Sequence, residues 1–105
     1  MFEILKNMFS TKDDSQLAQI VNDNAFLVDV RSASEFASEK VKGSVNIPLD
    51  QIHNHLAKFK GKKNIVVFCR SGARSTQAKA ILERNGITNV TNGGSWHTVA
   101  SYLTK

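Results

Sequence analysis

The sequence predicts an α/β fold in which helices cover both faces of a parallel sheet. Short apolar segments rich in β-branched residues alternate along the chain with segments whose apolar side chains recur at helical spacing. The most apolar segment, residues 64–68 (NIVVF), carries no charge, which is typical of a parallel strand buried on both faces. The length of 105 residues fits a single domain, 1–105, with one modest core.

The first elements are an apolar lead-in, a helix and a strand. The lead-in, residues 1–12, has apolar side chains at helical spacing, which favours either a short amphipathic helix or a helix that leads into an edge strand. A capping hydroxyl and first-turn carboxylates then predict a helix over residues 13–22. The segment AFLVDV, residues 25–30, predicts a short buried strand that stops at Arg31.

Three more elements are predicted before the most apolar strand. Ser32 and Glu35 have the spacing of a capping box and begin a short helix. The segment SVNIP, residues 44–48, predicts a brief strand that ends at its proline. Residues 49–59 carry apolar side chains at helical period, and they predict a helix that crosses over the sheet.

The rest of the chain completes the alternation of strands and helices. The predicted elements are a strand over 64–68, a helix over 73–85 with its C-cap at Gly86, a strand over 87–90, a turn over 92–94 and a closing helix over 95–103. We expect the strand over 64–68 to lie at the centre of the sheet, because it is the most apolar of the set.

Basic charge is concentrated in the second half of the chain. The net charge is +5, yet residues 1–52 carry five basic and eight acidic side chains, whereas residues 53–105 carry nine basic and one acidic. This distribution favours an anionic small molecule or an acidic partner surface. We expect no nucleic acid partner, because no basic run is interleaved with aromatic residues. The lysines over residues 58–63 are interpreted as a solvated turn.

The chain has a single cysteine, Cys69. It forms no internal disulfide and leaves no thiol set for structural zinc, so we expect a reducing compartment, the cytoplasm. The first residues show neither a signal-peptide pattern nor an apolar stretch long enough to span a bilayer, so we expect no membrane association. His53 and His55 would lie about 200° apart on a helix, so we expect no metal site.

Cys69 is the predicted chemical centre, because it lies where the central strand ends and a loop leads into a helix. The loop that follows it consists of Arg70, Ser71, Gly72, Ala73 and Arg74. Inward-facing amides, the helix dipole and two guanidinium groups would favour the thiolate and would also bind an anion. The loop therefore suits a nucleophilic sulfur that attacks thiosulfate, a persulfide, phosphate or arsenate. The competing interpretation of Cys69 is a buried structural thiol.

Five motifs occur in a fixed order along the chain. They are LVDVR (27–31), EF (35–36), KGSVNIPL (42–49), IVVFCRSGARS (65–75) and NGGSW (92–96). In this order and spacing, residues 13–105 resemble a single-domain rhodanese. The resemblance implies a five-stranded, mostly parallel sheet with helices on both faces, and it implies sulfur transfer without a metal or organic cofactor. An anionic donor such as thiosulfate would give its sulfane sulfur to the cysteine, and the persulfide would pass it to cyanide, a thiol or a protein.

The resemblance assigns roles to the cysteine loop by position. Cys69 is the nucleophile, and the amides of residues 70–74 cradle the persulfide. Arg70 and Arg74 would hold the anionic donor. The related phosphatases and arsenate reductases have a loop one residue longer, and Ser75 stands here where they have arginine. The shorter loop favours sulfur transfer, while a non-catalytic binding module of the same fold usually lacks the cysteine.

Other motif positions have supporting roles in the resemblance. Asp29 and Arg31 match an Asp-x-Arg pair, in which the aspartate would brace the fold and the arginine would add positive potential. Trp96 is expected to pack in the core. Glu39 and Lys40 stand where the family commonly has Gly-His, so a turn and histidine contacts are not expected there. We expect a monomer, because nothing in the sequence requires a dimer.

Overall fold

The computed structural model describes residues 13–103. Their elements are α1 (Asp13–Val21), β1 (Phe26–Asp29), α2 (Ala33–Ser38), β2 (Val45–Asn46), a 3₁₀ segment (Leu49–Phe59), β3 (Ile65–Cys69), α3 (Ala73–Arg84), β4 (Val90–Ser95) and α4 (Trp96–Tyr102). The strands are parallel and lie in the order β2-β1-β3-β4. The carboxyl ends of β1 and β3, the two inner strands, therefore lie at one edge of the sheet.

The side chains of β3 alternate between two hydrophobic clusters, one on each face of the sheet. Ile65, Val67 and Cys69 pack with residues of the 3₁₀ segment and α3. Val66 and Phe68 pack with residues of α1 and α4 on the opposite face. All five are fully buried, and each large apolar side chain contributes about 1.5–3 kcal/mol relative to an exposed one. The prediction of helices on both faces is confirmed.

The capping box predicted at the start of α2 is confirmed, and α4 begins with a similar cap. At α2, the amide of Glu35 donates to Ser32 Oγ at 3.3 Å, and the amide of Ser32 donates to Glu35 Oε1 at 3.0 Å. At α4, Ser95 Oγ accepts from the amide of His97 at 3.1 Å. Caps of this kind stabilise a helix by about 1 kcal/mol, so these starts are encoded by residues within one turn of each other.

The helix predicted over residues 49–59 is a 3₁₀ segment with a kink. Its backbone leaves helical geometry at His55, with φ −130° and ψ 25°. Leu49 and Ile52 are three residues apart, as are Leu56 and Phe59, which is the period of a 3₁₀ turn. The kink lies between the two pairs, where Ile52 and Leu56 are four residues apart. The prediction of a single α-helix was therefore wrong, because apolar residues spaced by three, four and three also fit two 3₁₀ turns joined by a kink.

The turn predicted over residues 92–94 lies inside strand β4. The pairing of β3 with β4 slips by one residue there, so that Val67 is opposite Asn92 and Phe68 is opposite Gly94. Gly93 is the extra residue of a β-bulge. A Cβ atom on Gly93 would lie 2.7 Å from a methyl carbon of Val99, so only glycine fits between the strand and α4. The two consecutive glycines predicted a turn. In the structure they belong to a β-bulge, and Gly93 is needed because its neighbours leave no room for a side chain.

The strand number differs from the expectation. Residues 13–103 form a four-stranded sheet, whereas the family resemblance implied five strands. The residue patterns themselves predicted four, over 25–30, 44–48, 64–68 and 87–90, and the fifth came from the resemblance alone. The lead-in over residues 1–12, where an edge strand was considered, lies outside the described residues. Between residues 13 and 103, no helix combines the length and hydropathy needed to cross a bilayer.

Candidate active site

Cys69 is the last residue of β3, and its side chain is fully buried. The chain turns sharply after it and enters α3 at Ala73. Gly72 makes this turn with φ +101°, a conformation that favours glycine. Its amide donates to Cys69 Sγ at 3.0 Å. The short loop thus brings backbone donors onto the sulfur.

The surroundings of Cys69 favour the thiolate. Burial raises the pKa of the thiol, but hydrogen bonds from the Ser75 amide and hydroxyl and from the amides of Gly72 and Ser71 outweigh it, so the pKa lies below its ordinary value. These donors are fixed by the loop and by the first turn of α3. A lowered pKa increases the fraction of thiolate, and the thiolate is the nucleophilic form of cysteine.

Arg74 is held by an ion pair with Glu35 of α2. Its Nη1 lies 2.7 Å from Glu35 Oε1, and its Nη2 lies 3.2 Å from Glu35 Oε2. The hydrogen bond to Arg74 is the largest cause that lowers the pKa of Glu35 to about 2, and the same contact raises the pKa of Arg74. A cation in the first turn of a helix opposes the helix dipole, and here Glu35 compensates for it.

Arg70 is exposed and lies on a cleft of about 320 Å³ at the carboxyl edge of the sheet. The cleft is lined by Arg31, Ser34, Glu35, Ser38, Glu39, Arg70 and Trp96. Trp96 is 9% exposed and belongs to the hydrophobic cluster on the α4 face, as expected. Its Nε1 is buried without a hydrogen-bond partner among the described residues. The cleft therefore offers an exposed guanidinium group, that of Arg70.

Asp29 and Arg31 form a buried ion pair at the end of β1. Arg31 Nε lies 3.0 and 2.9 Å from the two carboxylate oxygens of Asp29, and Arg31 Nη2 donates to the carbonyl of Glu39 at 2.6 Å. The guanidinium also lies 5.0 Å from the centre of the Trp96 ring. The contact with Glu39 uses a backbone carbonyl, so the Glu39-Lys40 pair satisfies it without the family's usual Gly-His.

The structure brings most of the sequence-predicted site residues to one edge of the sheet. Arg74 is turned toward α2, and Asp29 contacts Arg31. Among residues 13–103, no group of His, Cys, Asp or Glu side chains is arranged to hold a metal ion. Sequence reasoning missed three contributors, Glu35, Ser75 and Asn92. The sequence marked Glu35 as a capping residue and as part of the motif EF but gave no sign of its contact with Arg74, and nothing in the sequence linked Ser75 with Asn92.

Comparison with known proteins identifies the family. Residues 13–96 match the family model described as Rhodanese-like domain. The chain belongs to the rhodanese-like family. It is 37% identical over 75 residues to the thiosulfate sulfurtransferase PspE of Escherichia coli, covering 70% of this chain and 72% of that protein. It is 32% identical over 87 residues to a sulfurtransferase of Allochromatium vinosum, covering 81% of each.

Solved rhodanese structures have the same fold. A rhodanese from E. coli, solved with anions, is 36% identical with a TM-score of 0.65, over 72% of this chain and 92% of that one. The human single-domain sulfurtransferase TSTD1 is 26% identical with a TM-score of 0.65, over 90% of this chain and 95% of that one. These relatives support a sulfurtransferase role for this rhodanese-like chain.

Proposed function

We propose that this rhodanese-like chain is a sulfurtransferase of the thiosulfate:cyanide type with Cys69 as the sulfur carrier. The observation that carries the proposal is the set of amides around Cys69 Sγ, with the Gly72 N–H at 3.0 Å and the pKa of the thiol lowered. A stabilised thiolate is the species that attacks a sulfur-sulfur bond. PspE, named a thiosulfate sulfurtransferase, supports the same reaction.

The reaction runs in two displacements. The Cys69 thiolate attacks the sulfane sulfur of thiosulfate, a new sulfur-sulfur bond forms, and sulfite leaves with the electron pair of the broken bond. The outer sulfur of the persulfide is then attacked by cyanide, a thiol or a protein thiolate. That attack returns Cys69 to the thiolate. Both steps begin or end with negative charge on the Cys69 sulfur, where the loop amides donate.

The two loop arginines have different roles in this proposal. Arg70 is exposed on the cleft, so it holds the anionic donor as it approaches the sulfur. Arg74 is engaged by Glu35, so it contributes positive potential and fixes the loop against α2. Asp29 and Arg31 support the floor of the cleft through their buried pair. The amides of the loop, those of Ser71 and Gly72 among them, cradle the transferred sulfur.

The test is the intact mass of the purified protein after brief treatment with thiosulfate, measured before and after a reductant. We expect a gain of one sulfur atom that the reductant removes and that Cys69→Ser lacks. The matched control is Ser101→Ala, because Ser101 is exposed and its hydroxyl donates to the carbonyl of Thr98 within the same helix, α4. Failure to gain sulfur from thiosulfate, mercaptopyruvate and a low-molecular persulfide would contradict the proposal.

We also propose that the chain acts as a monomer in the cytoplasm. Nothing in the sequence requires a dimer, and the lone thiol must stay reduced to react. The expected result of light scattering after size-exclusion chromatography is the mass of one chain, 11.6 kDa. A stable dimer that loses activity on dilution would contradict this part of the proposal.

A further inference from the structure

Ser75 is a fully buried serine in the first turn of α3, and its hydroxyl has three neighbours that can accept its proton. Ser75 Oγ lies 2.7 Å from Asn92 Oδ1, 3.0 Å from the carbonyl oxygen of Gly72 and 3.7 Å from Cys69 Sγ. A hydroxyl carries one proton and accepts through its lone pairs. Ser75 can therefore donate fully to only one of these neighbours at a time.

The two oxygen acceptors stay paired when the Ser75 hydroxyl turns away from them. Asn92 Oδ1 also accepts from the amide of Gly94 at 2.9 Å. The carbonyl of Gly72 also accepts from Thr76 Oγ1 at 2.7 Å and from the Thr76 amide at 3.0 Å. Leaving a buried acceptor unpaired would cost about 1–3 kcal/mol, and here that cost does not arise. The Ser75 proton is thus free to change partner.

The β-bulge fixes the orientation of Asn92. Asn92 lies opposite Val67 on the face of the sheet that α3 covers, and Gly93 follows as the extra residue. Asn92 Nδ2 donates to Thr76 Oγ1 at 2.9 Å, while Oδ1 accepts from the Gly94 amide. These two contacts distinguish the ends of the side-chain amide. The oxygen is therefore the end that meets Ser75.

We propose that Ser75 and Asn92 form a two-state hydrogen-bond relay behind Cys69, in which the Ser75 hydroxyl donates to Asn92 when Cys69 is a thiol and to the sulfur when Cys69 is a thiolate. In the thiol state, the S–H donates to Ser75 Oγ. When that proton leaves to solvent, Ser75 Oγ no longer accepts a hydrogen bond from the thiol. The Ser75 hydroxyl then rotates, so that it stops donating to Asn92 Oδ1 and donates to Cys69 Sγ. The S–H bond is the only covalent bond that breaks, and Ser75 and Asn92 are positioning residues.

The relay adds a step to the proposed sulfur transfer, and its biological role rests on that proposed function. In the second displacement, Cys69 leaves the persulfide as a thiolate, and the Ser75 hydroxyl donates to that developing charge. The charged groups around the sulfur are Arg70, exposed on the cleft, Arg74, paired with Glu35, and the Asp29–Arg31 pair at the end of β1. The proposed switch is the rotation of the neutral Ser75 hydroxyl, so it requires no change of charge on any of these side chains.

The first test is the pH midpoint of the thiolate ultraviolet absorbance, which reports on Cys69 alone because the chain has one cysteine. We expect Ser75→Ala to raise the midpoint by about one unit, roughly a tenfold loss of thiolate below the midpoint. Ser101→Ala, which removes an exposed serine hydroxyl on α4, is expected to leave the midpoint unchanged. An unchanged midpoint in a folded Ser75→Ala protein would overturn the proposal.

The second test is a double-mutant cycle with Asn92→Leu. Leucine has a similar shape and no acceptor, so the Ser75 hydroxyl loses its competing partner and donates more readily to the sulfur. We expect Asn92→Leu to lower the midpoint in the parent protein and to have no effect in Ser75→Ala. A merely structural role for Asn92 would shift the midpoint equally in both backgrounds, and that result would refute the relay.

The relay remains testable if circular dichroism shows that the Ser75→Ala protein does not fold. In that case Asn92→Leu alone decides, since a midpoint that rises or stays constant contradicts the relay and a lower one supports it. The thiolate readout is independent of sulfur transfer. A protein with the expected midpoints that forms no persulfide would therefore contradict the proposed function and leave the relay intact.

Discussion

The two sides of the Cys69 loop are held by different kinds of interaction. Toward α2, Arg74 forms an ion pair with Glu35, and Arg31, which pairs with Asp29 at the end of β1, lines the same cleft as Arg70. Toward β4, the contacts are neutral hydrogen bonds among Ser75, Thr76 and Asn92. Charged contacts act over several ångströms and depend on pH and salt, whereas neutral ones act at contact distance. We therefore expect the charged side to position the loop and an anionic donor, and the neutral side to affect the balance between thiol and thiolate at Cys69.

The largest effect is expected from the buried pair on the charged side. Asp29→Asn removes the charge that compensates Arg31, whose side chain is 4% exposed. We expect a loss of about 3 kcal/mol in the free energy of unfolding, because one partner of a buried pair is left without compensation. Urea unfolding measures it. The control is Asp23→Asn, which breaks an exposed pair with Lys63 and should cost less than about 1 kcal/mol. Equal losses of unfolding free energy in the two variants would mean that burial does not make the Asp29–Arg31 pair more important for stability than an exposed pair.

A smaller effect is expected from the exposed arginine on the cleft. Arg70→Ala should raise the KM for thiosulfate about tenfold with little change in kcat, because one charge-assisted contact with the donor is lost. The matched control is Arg84→Ala, which removes the same charge at the far end of α3. If both variants raise KM equally, the overall charge of the chain attracts the donor, and Arg70 has no specific role.

The smallest effect is expected from Glu35→Gln, because glutamine keeps one oxygen for the capping box and removes the charge and one of the two oxygens that Arg74 contacts. The Glu35 side chain is 33% exposed, so solvent screens the pair and we expect a loss of about 1 kcal/mol at neutral pH. The pKa of Glu35 is lowered from 4.5 to about 2, so its contribution is fully present above about pH 4.5 and is lost as the pH falls toward 2.

Urea unfolding of the parent and Glu35→Gln proteins between about pH 7 and pH 2 checks the direction in which the contribution of Glu35 to the free energy of unfolding changes with pH. The difference between them should shrink as the pH falls from 4.5 toward 2. A difference that grows on acidification would mean that the carboxylate is not stabilised by Arg74 in the folded protein.

The sequence was sufficient for features encoded over short distances along the chain. The capping box of Ser32 and Glu35 lies within one helical turn, and the alternation of β3 is visible in five consecutive residues. Contacts between distant residues were not predictable. Arg74 meets Glu35 across 39 positions, and Ser75 meets Asn92 across 17. Both depend on how the strands pair, and for Asn92 on a bulge that no local pattern distinguishes from a turn.

Gly93 connects the two hydrophobic layers of the molecule. On one side of it, Val66 and Val99 leave no room for a Cβ atom, and on the other its neighbour Asn92 meets Ser75. A larger side chain at position 99 would push on β4 at Gly93 and displace the Asn92 side-chain amide from Ser75. The size of an apolar residue on the α4 face of the sheet thus affects the hydrogen bonds next to Cys69, on the opposite face.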